Sequence, residues 1–189
     1  MRTATTIEAS GMPDWASGRD FVVEAEKLGL DICWVAEAWG SDAPSAIGYY
    51  AACTNRMLLG SGVIQVGTRT PVAIAQAAIT LSNLSGGRFL LGLGASGPQV
   101  IEGLHGVSFQ RPLTRLKETV EIVRGVLGGG KISYAGRAFQ IPLPGGEARP
   151  MYYPNAAWPL ICLISRPTRN AQSGSSRRRR CNIWGRERG

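Results

Sequence analysis

Short apolar runs alternate with helical stretches four times in the first 127 residues, and this alternation limits the fold more than any other feature of the chain. Residues 3–9 are short and β-prone. Pro13 and Asp14 then open a stretch with Phe21, Val22, Ala25 and Leu28 at helical spacing, and Gly29 stands where such a helix ends. Residues 32–36, 57–64 and 88–93 are apolar without alternation, the pattern of strands buried on both faces. Asp42 and Pro44 open a second helix, running to about residue 52, and Thr70-Pro71 opens a third that Ser85-Gly86-Gly87 stops. Residues 113–127 predict a fourth, with Leu116, Val120, Val123 and Leu127 on one face and Arg115, Lys117, Glu118 and Glu121 mostly elsewhere. The order β-α-β-α-β-α-β-α predicts a parallel sheet covered outside by helices.

Two parallel architectures compete. A doubly wound sheet usually carries its ligand signature in the first βα turn, and here that turn, Ser10-Gly11-Met12-Pro13, has no GxGxxG pattern. Polar or glycine-rich strand ends recur instead: Ala36-Glu37-Ala38-Trp39-Gly40, Gly60-Ser61-Gly62-Val63-Ile64-Gln65 and Gly92-Leu93-Gly94-Ala95-Ser96-Gly97. Functional residues at the C-terminal ends of successive strands are the habit of a (β/α)8 TIM barrel. Such a barrel takes about 250 residues. The chain therefore reads as an α/β protein of the (β/α)8 TIM-barrel class carrying about the first four βα units, an incomplete barrel.

Residues 128–150 are loop-like, with a small hairpin expected over 132–139 turning at Ala135-Gly136. From about Met151 the periodicity vanishes. Residues 151–189 hold eight arginines against one acid, so this tail carries +7 of the net charge of +8, and residues 1–150 carry only +1. The expected division is a folded region at 1–150 and a basic, disordered tail at 151–189. The run Arg177–Arg180 can attract a polyanion, but no adjacent fold or aromatic pattern supports nucleic-acid recognition. The four cysteines, Cys33, Cys53, Cys162 and Cys181, form no metal-ligand spacing, and His105 is the single histidine; no metal site is expected. No apolar run is long enough to span a membrane and no secretory segment is evident, so a cytoplasmic protein with reduced thiols is expected.

Three segments, Glu26 to Gly40, Leu59 to Val63 and Leu81 to Gly94, together with Gly103-Leu104-His105-Gly106, resemble the luciferase-like monooxygenase superfamily. Ser85-Gly86-Gly87-Arg88-Phe89 leading into the fourth strand is the most specific element. Within the superfamily the set is most similar to the oxidoreductases that use coenzyme F420, relatives of methylene-tetrahydromethanopterin reductase. The resemblance covers residues 1–150. It implies hydride transfer from reduced F420 to an unknown small organic substrate, and members often form homodimers or larger assemblies. It also implies four further βα units that complete the barrel. The abrupt change near Met151 motivates the hypothesis that the tail is a truncated or out-of-frame product, which a search of all reading frames downstream would test.

The resemblance also places candidate residues. Glu37 ends the second strand, where a carboxylate can hold or move a proton near the reduced ring; Ala38 follows where relatives often have histidine. Trp39 and Gln65 are expected to line the substrate pocket. Relatives carry a non-prolyl cis peptide behind the ring at the position matching Gly62-Val63. Gly94, Ala95, Ser96 and Gly97, with Val100 beside them, are expected to hold cofactor oxygens through backbone N–H groups. His105 reads as a structural loop residue. Two alternatives stay open: an FMN-dependent monooxygenase of the same fold, and a non-enzymatic fragment whose basic tail binds polyanions.

Overall fold

Four strands, β1 (Ala4–Glu8), β2 (Ile32–Ala36), β3 (Leu58–Ser61) and β5 (Phe89–Leu90), form one parallel sheet in the order β1-β2-β3-β5. The computed structural model describes residues 2–8, 14–37 and 39–154. The helices between the strands are α1 (Trp15–Lys27), α2 (Ala43–Cys53) and α3 (Pro71–Leu84), and α5 (Pro112–Gly128) follows the last strand. The helices α1, α2 and α3 start where their capping chemistry predicts, whereas α5 follows Arg111 with no side-chain cap. Asp14 accepts from Ser17 N at 2.6 Å, Asp42 from Ser45 N at 2.9 Å and Thr70 from Ala73 N at 3.3 Å. The order is the expected βα repeat, and the described residues form the first four units of a (β/α)8 barrel.

The core lies between the sheet and these helices. Ile7, Cys33, Val35 and Leu59 share one buried cluster with Val22 of α1, Ile47 of α2, Ile74 of α3 and Val123 of α5. Strand residues two apart point to the same face. Cys33, Val35 and Leu59 thus face the helices, while Trp34 and its register partner Gly60 face the side that is the barrel interior.

The third and fourth strands are each broken in two. After β3 the chain passes through a cis Gly62-Val63 peptide bond and resumes as β4 (Ile64–Gln65). β5 likewise resumes as β6 (Leu93–Gly94), and β4 pairs with β6 in parallel, Ile64 opposite Leu93 and Gln65 opposite Gly94. The buried Ser61 hydroxyl spans the break: it donates to Gly92 O and accepts from Gly92 N, both at 2.9 Å. An unbroken strand over 57–64 or 88–93, as the apolar runs suggest, is not what forms. A side chain has taken over two of the ladder's backbone bonds, and an apolar run carries no trace of that.

Two charged side chains fasten the base of the fold. Arg88, from the Ser-Gly-Gly-Arg-Phe segment, donates to Met57 O, Thr54 O, Ala51 O and Thr54 Oγ1 at 2.8–3.0 Å. Glu26 accepts from the backbone N–H groups of Asn55, Arg56 and Met57. Together they clamp the α2–β3 connection from both sides, a structural reason for this arginine to follow the double glycine.

Beyond β6 the expected long loop contains a short helix, α4 (Pro98–Ile101). After α5, β8 (Tyr134–Ala135) and β9 (Gln140–Ile141) form the expected hairpin, closed by Gly136 N donating to Phe139 O at 2.8 Å. A further antiparallel pair joins β7 (Gly130–Lys131) to β10 (Tyr152–Tyr153), so ordered pairing continues past residue 150. Glu118 is only 5% exposed and accepts from the N–H groups of Arg137, Ala138 and Phe139. It belongs to the helix face that packs on the hairpin, not to a solvated one. No described helix is long and apolar enough to cross a membrane. Among the described residues no group of His, Cys, Asp and Glu is arranged to hold a metal ion. The expected disordered tail, with Arg177–Arg180, lies outside the described residues apart from its first four positions.

Candidate active site

The strand ends converge as the barrel reading requires. Gly62 N donates to Val35 O at 2.7 Å, joining the bulge to β2, and Ile64 N and Val66 N donate to Gly92 O and Gly94 O. The Val63 side chain rests on Gly94: a Cβ there would meet Val63 Cγ2 at 2.5 Å, so any larger residue would push the bulge aside. Ser96 has a left-handed backbone, φ 60°, uncommon for a residue with a side chain and frequent at ligand-holding turns. Among the described residues no group accepts a hydrogen bond from the backbone N–H of Val63, Ser96 or Gly97. The half-buried Val100 sits on α4 directly after them. Gly62, Val63, Gly94, Ala95, Ser96 and Gly97 thus form one continuous shelf across two strand ends, with spare backbone donors along it.

Beside the shelf opens a cleft of about 280 Å³, lined among others by Glu37, Trp39, Gln65, Arg69 and His105. That is close to the lower bound of small-molecule sites, roughly 300 Å³. Glu37 is its best-held group. The carboxylate, with its side chain only 6% exposed, forms a short ion pair with Arg69. It also accepts from Ala43 N at 2.8 Å, in the first turn of α2, and from Gln65 N at 3.4 Å. The positive end of the α2 dipole therefore shares its charge with Arg69. Gln65, 2% exposed, returns a side-chain bond to Glu37 O at 3.4 Å. Trp39 stands at the rim, 71% exposed.

Of the expected residues the cleft itself takes Glu37, Trp39 and Gln65, while Gly62, Val63, Gly94–Gly97 and Val100 stand at the adjoining strand ends and α4; Arg69 and His105 join the cleft lining. Arg69 follows Thr68 in the β4–α3 connection and meets a partner 32 residues away, which no local pattern announces. His105, read from sequence as a loop residue, does sit in a loop, tied by its N–H to Val100 O at 3.1 Å, but that loop forms the cleft's far wall.

The shelf of small residues and the polar cleft beside it both lie at the C-terminal ends of parallel strands, the face on which (β/α)8 barrels carry their active sites. A sequence profile of the luciferase-like monooxygenases matches residues 1–163, and the chain belongs to that family. It is 47% identical over 127 residues to a Mycobacterium tuberculosis protein named among the coenzyme F420-dependent oxidoreductases, covering 67% of this chain and 37% of that one. It is 36% identical over 113 residues to the 5,10-methylenetetrahydromethanopterin reductase of Methanolobus tindarius, covering 59% of this chain and 34% of the reductase. The fold also matches the FMN-bound oxygenating component of 3,6-diketocamphane monooxygenase from Pseudomonas putida. The TM-score there is 0.69 at 17% identity, over 86% of this chain and 51% of that one. The chain spans less than two fifths of the length of the two relatives it matches by sequence.

Proposed function

We propose that this chain carries the cofactor shelf and part of the substrate cleft of an F420-dependent oxidoreductase, which moves a hydride between the deazaflavin and a small organic molecule. The observation that carries the reading is the convergence of the Gly62-Val63 bulge with Gly94–Gly97 beside the Glu37–Arg69 cleft. The likeness to F420-dependent relatives at up to 47% identity supports the choice of cofactor.

The residues fit a flat ring. Gly62 is exposed and presents backbone alone, and Gly94 holds Val63 in place behind it. The free N–H groups of Val63, Ser96 and Gly97 offer donors to ring or chain oxygens, and small Ala95 leaves room. Val100 closes the shelf from α4. When bound, F420 supplies two electrons as a hydride, and the protein supplies position and electrostatics. Glu37 contributes a fixed, hydrogen-bonded negative charge at the end of β2, and Trp39 and Gln65 bound the substrate side. Cys33 and Cys53 are free thiols, consistent with the cytoplasm as the compartment.

A second reading, an FMN-dependent monooxygenase, is favoured by the FMN-bound structure of the same fold. Fluorescence titration of the chain with F420 and, separately, with FMN decides between them. Saturable F420 binding at least tenfold tighter than FMN is expected; the reverse order would replace the F420 reading. Gly94→Val, which displaces Val63, is expected to abolish the binding while the melting curve stays cooperative.

A further inference from the structure

The far wall of the cleft is fixed as firmly as the strand ends. Helix α4 ends on Ile101, 1% exposed, whose Cδ1 lies 2.8 Å from where a Cβ on Gly67 would stand. Gly67 lies two residues before Arg69, so the wall is pressed onto the connection that carries that arginine. Leu104 N and His105 N both donate to Val100 O, at 3.2 and 3.1 Å, and Val107 N donates to Ile101 O at 3.0 Å. Two glycines shape the turn: a Cβ at Gly103 would meet Gln99 O at 2.5 Å, and Gly106 has φ +65°. Glu102 closes the segment by accepting from Phe109 N at 2.8 Å. His105 is thus delivered to the cleft by a turn with little freedom.

Four ionisable side chains line the cleft: Glu37, Asp42, Arg69 and His105. Three are committed elsewhere. Both oxygens of Glu37 are held, one by Ala43 N and the other by Gln65 N and Arg69. Asp42 caps α2 and accepts from Ser45 N. A guanidinium does not give up its proton in a protein. His105 differs: it is exposed, and among the described residues its ring nitrogens have no hydrogen-bond partner. A neutral imidazole carries one donor and one acceptor nitrogen, and histidine is the side chain most often used for proton transfer.

We propose that His105 is the proton-transfer residue of this cleft, acting across from the fixed Glu37–Arg69 pair. Its place in a hydride-transfer reaction rests on the reading above. In the reducing direction one carbon of a polarised double bond in the substrate gains the hydride, and the atom bonded to it gains a proton from the His105 ring. The π bond is replaced by two bonds to hydrogen. The two electrons come from reduced F420, which is oxidised, and the ring regains its proton from solvent at the open rim. In the oxidising direction His105 takes the proton.

The proton step is testable on the 189-residue chain without any cofactor. The probe is 5-nitrobenzisoxazole, a neutral flat heterocycle. A base removes its C3 proton as the N–O bond breaks, and the product is a coloured cyanonitrophenolate. The wild type is expected to open the ring saturably and at least about tenfold faster than free imidazole at the same concentration. His105→Gln is expected to lose about a hundredfold, with circular dichroism checking the fold. His105→Ala is expected to regain much of its rate on adding imidazole, a rescue that a purely structural histidine would not permit. A rate unchanged in His105→Gln, no rate above free imidazole in the wild type, or no rescue of a folded His105→Ala would overturn the proposal. So would a loss confined to Asp42→Asn, which keeps the helix cap but removes the competing carboxylate. The probe reaction is independent of F420, so its failure strikes His105 alone, whereas failure of the wild type to bind F420 strikes the cofactor reading.

Discussion

The indole of Trp34 lies where a Cβ on Gly60 would have to stand, only 2.2 Å from its Cζ3 atom. The two residues are register partners on adjacent strands. The same side chain continues toward the bulge, its own Cβ 3.3 Å from the Cβ position of Gly62. Trp34 therefore lines the inner face of β3 up to the Gly62-Val63 bulge, and glycine at position 60 is what lets it lie there.

Gly60→Ala is expected to force the indole out of place and to destabilise the fold by about 1–3 kcal/mol, the usual cost of overpacking. The urea midpoint reads the loss directly. A midpoint equal to the wild type's would contradict the close approach. The tryptophan emission should shift in the same variant, since the ring changes its surroundings.

Arg88→Met removes the donor from four acceptors at once. Three carbonyls at the base of the barrel and the Thr54 hydroxyl lose this donor, and a loss on the order of 3 kcal/mol is expected. Thermal unfolding checks it. Arg88→Lys should recover only part, because an ammonium cannot reach acceptors spread across a guanidinium's plane. Full recovery by lysine would mean that charge alone mattered.

Acid should loosen the chain through Glu26 and Glu118. Burial pushes both carboxyls up, but three backbone N–H bonds to each outweigh it, helped at Glu26 by the Arg88 charge and at Glu118 by that of Arg137, and both end below the ordinary glutamate value. A depressed folded pKa gives stability that is present above the unfolded value, about 4.3, and is lost as the pH falls through the folded one. Urea midpoints are expected to hold from neutrality down to about that value and then to drop. Glu118→Gln should be less stable at neutral pH and show a shallower fall in acid. An unchanged slope would show that Glu118 is not ionised in the folded chain.

Burial pushes the Cys33 thiol up to about 12, which leaves almost no thiolate at neutral pH. Iodoacetamide followed by peptide mapping should label the half-buried Cys53 first, and reach Cys33 only in denaturant. Equal native rates at the two positions would place Cys33 at the surface.

Most of the scaffold was legible because parallel strands under helices leave a direct trace. Residues 32–36 read as an apolar run since both faces are covered, and Asp42, Thr70 and Pro71 announce helix starts by local chemistry. What escaped depends on partners far along the chain. The polar pattern of α5 puts Glu118 outside, and only the hairpin amides arriving from residues 137–139 bring it in. Arg69 has no signal of its own, because its meaning lies in Glu37. The residues of the shelf have no local pattern that sets them apart and are suggested only by family resemblance; the structure adds the contact between Gly94 and Val63.

The neighbour-to-neighbour order of the sheet bears on how the chain is made. Ala4 pairs with Ile32, Ile32 with Leu58 and Leu59 with Phe89. Each of these strands thus waits for about one helix and one strand of new chain before finding the next one in the sheet. Parallel pairing is slow when its loops are long, but here each closure is short. A chain leaving the ribosome can lay down the barrel wall one stave at a time, each stave docking on a wall already standing.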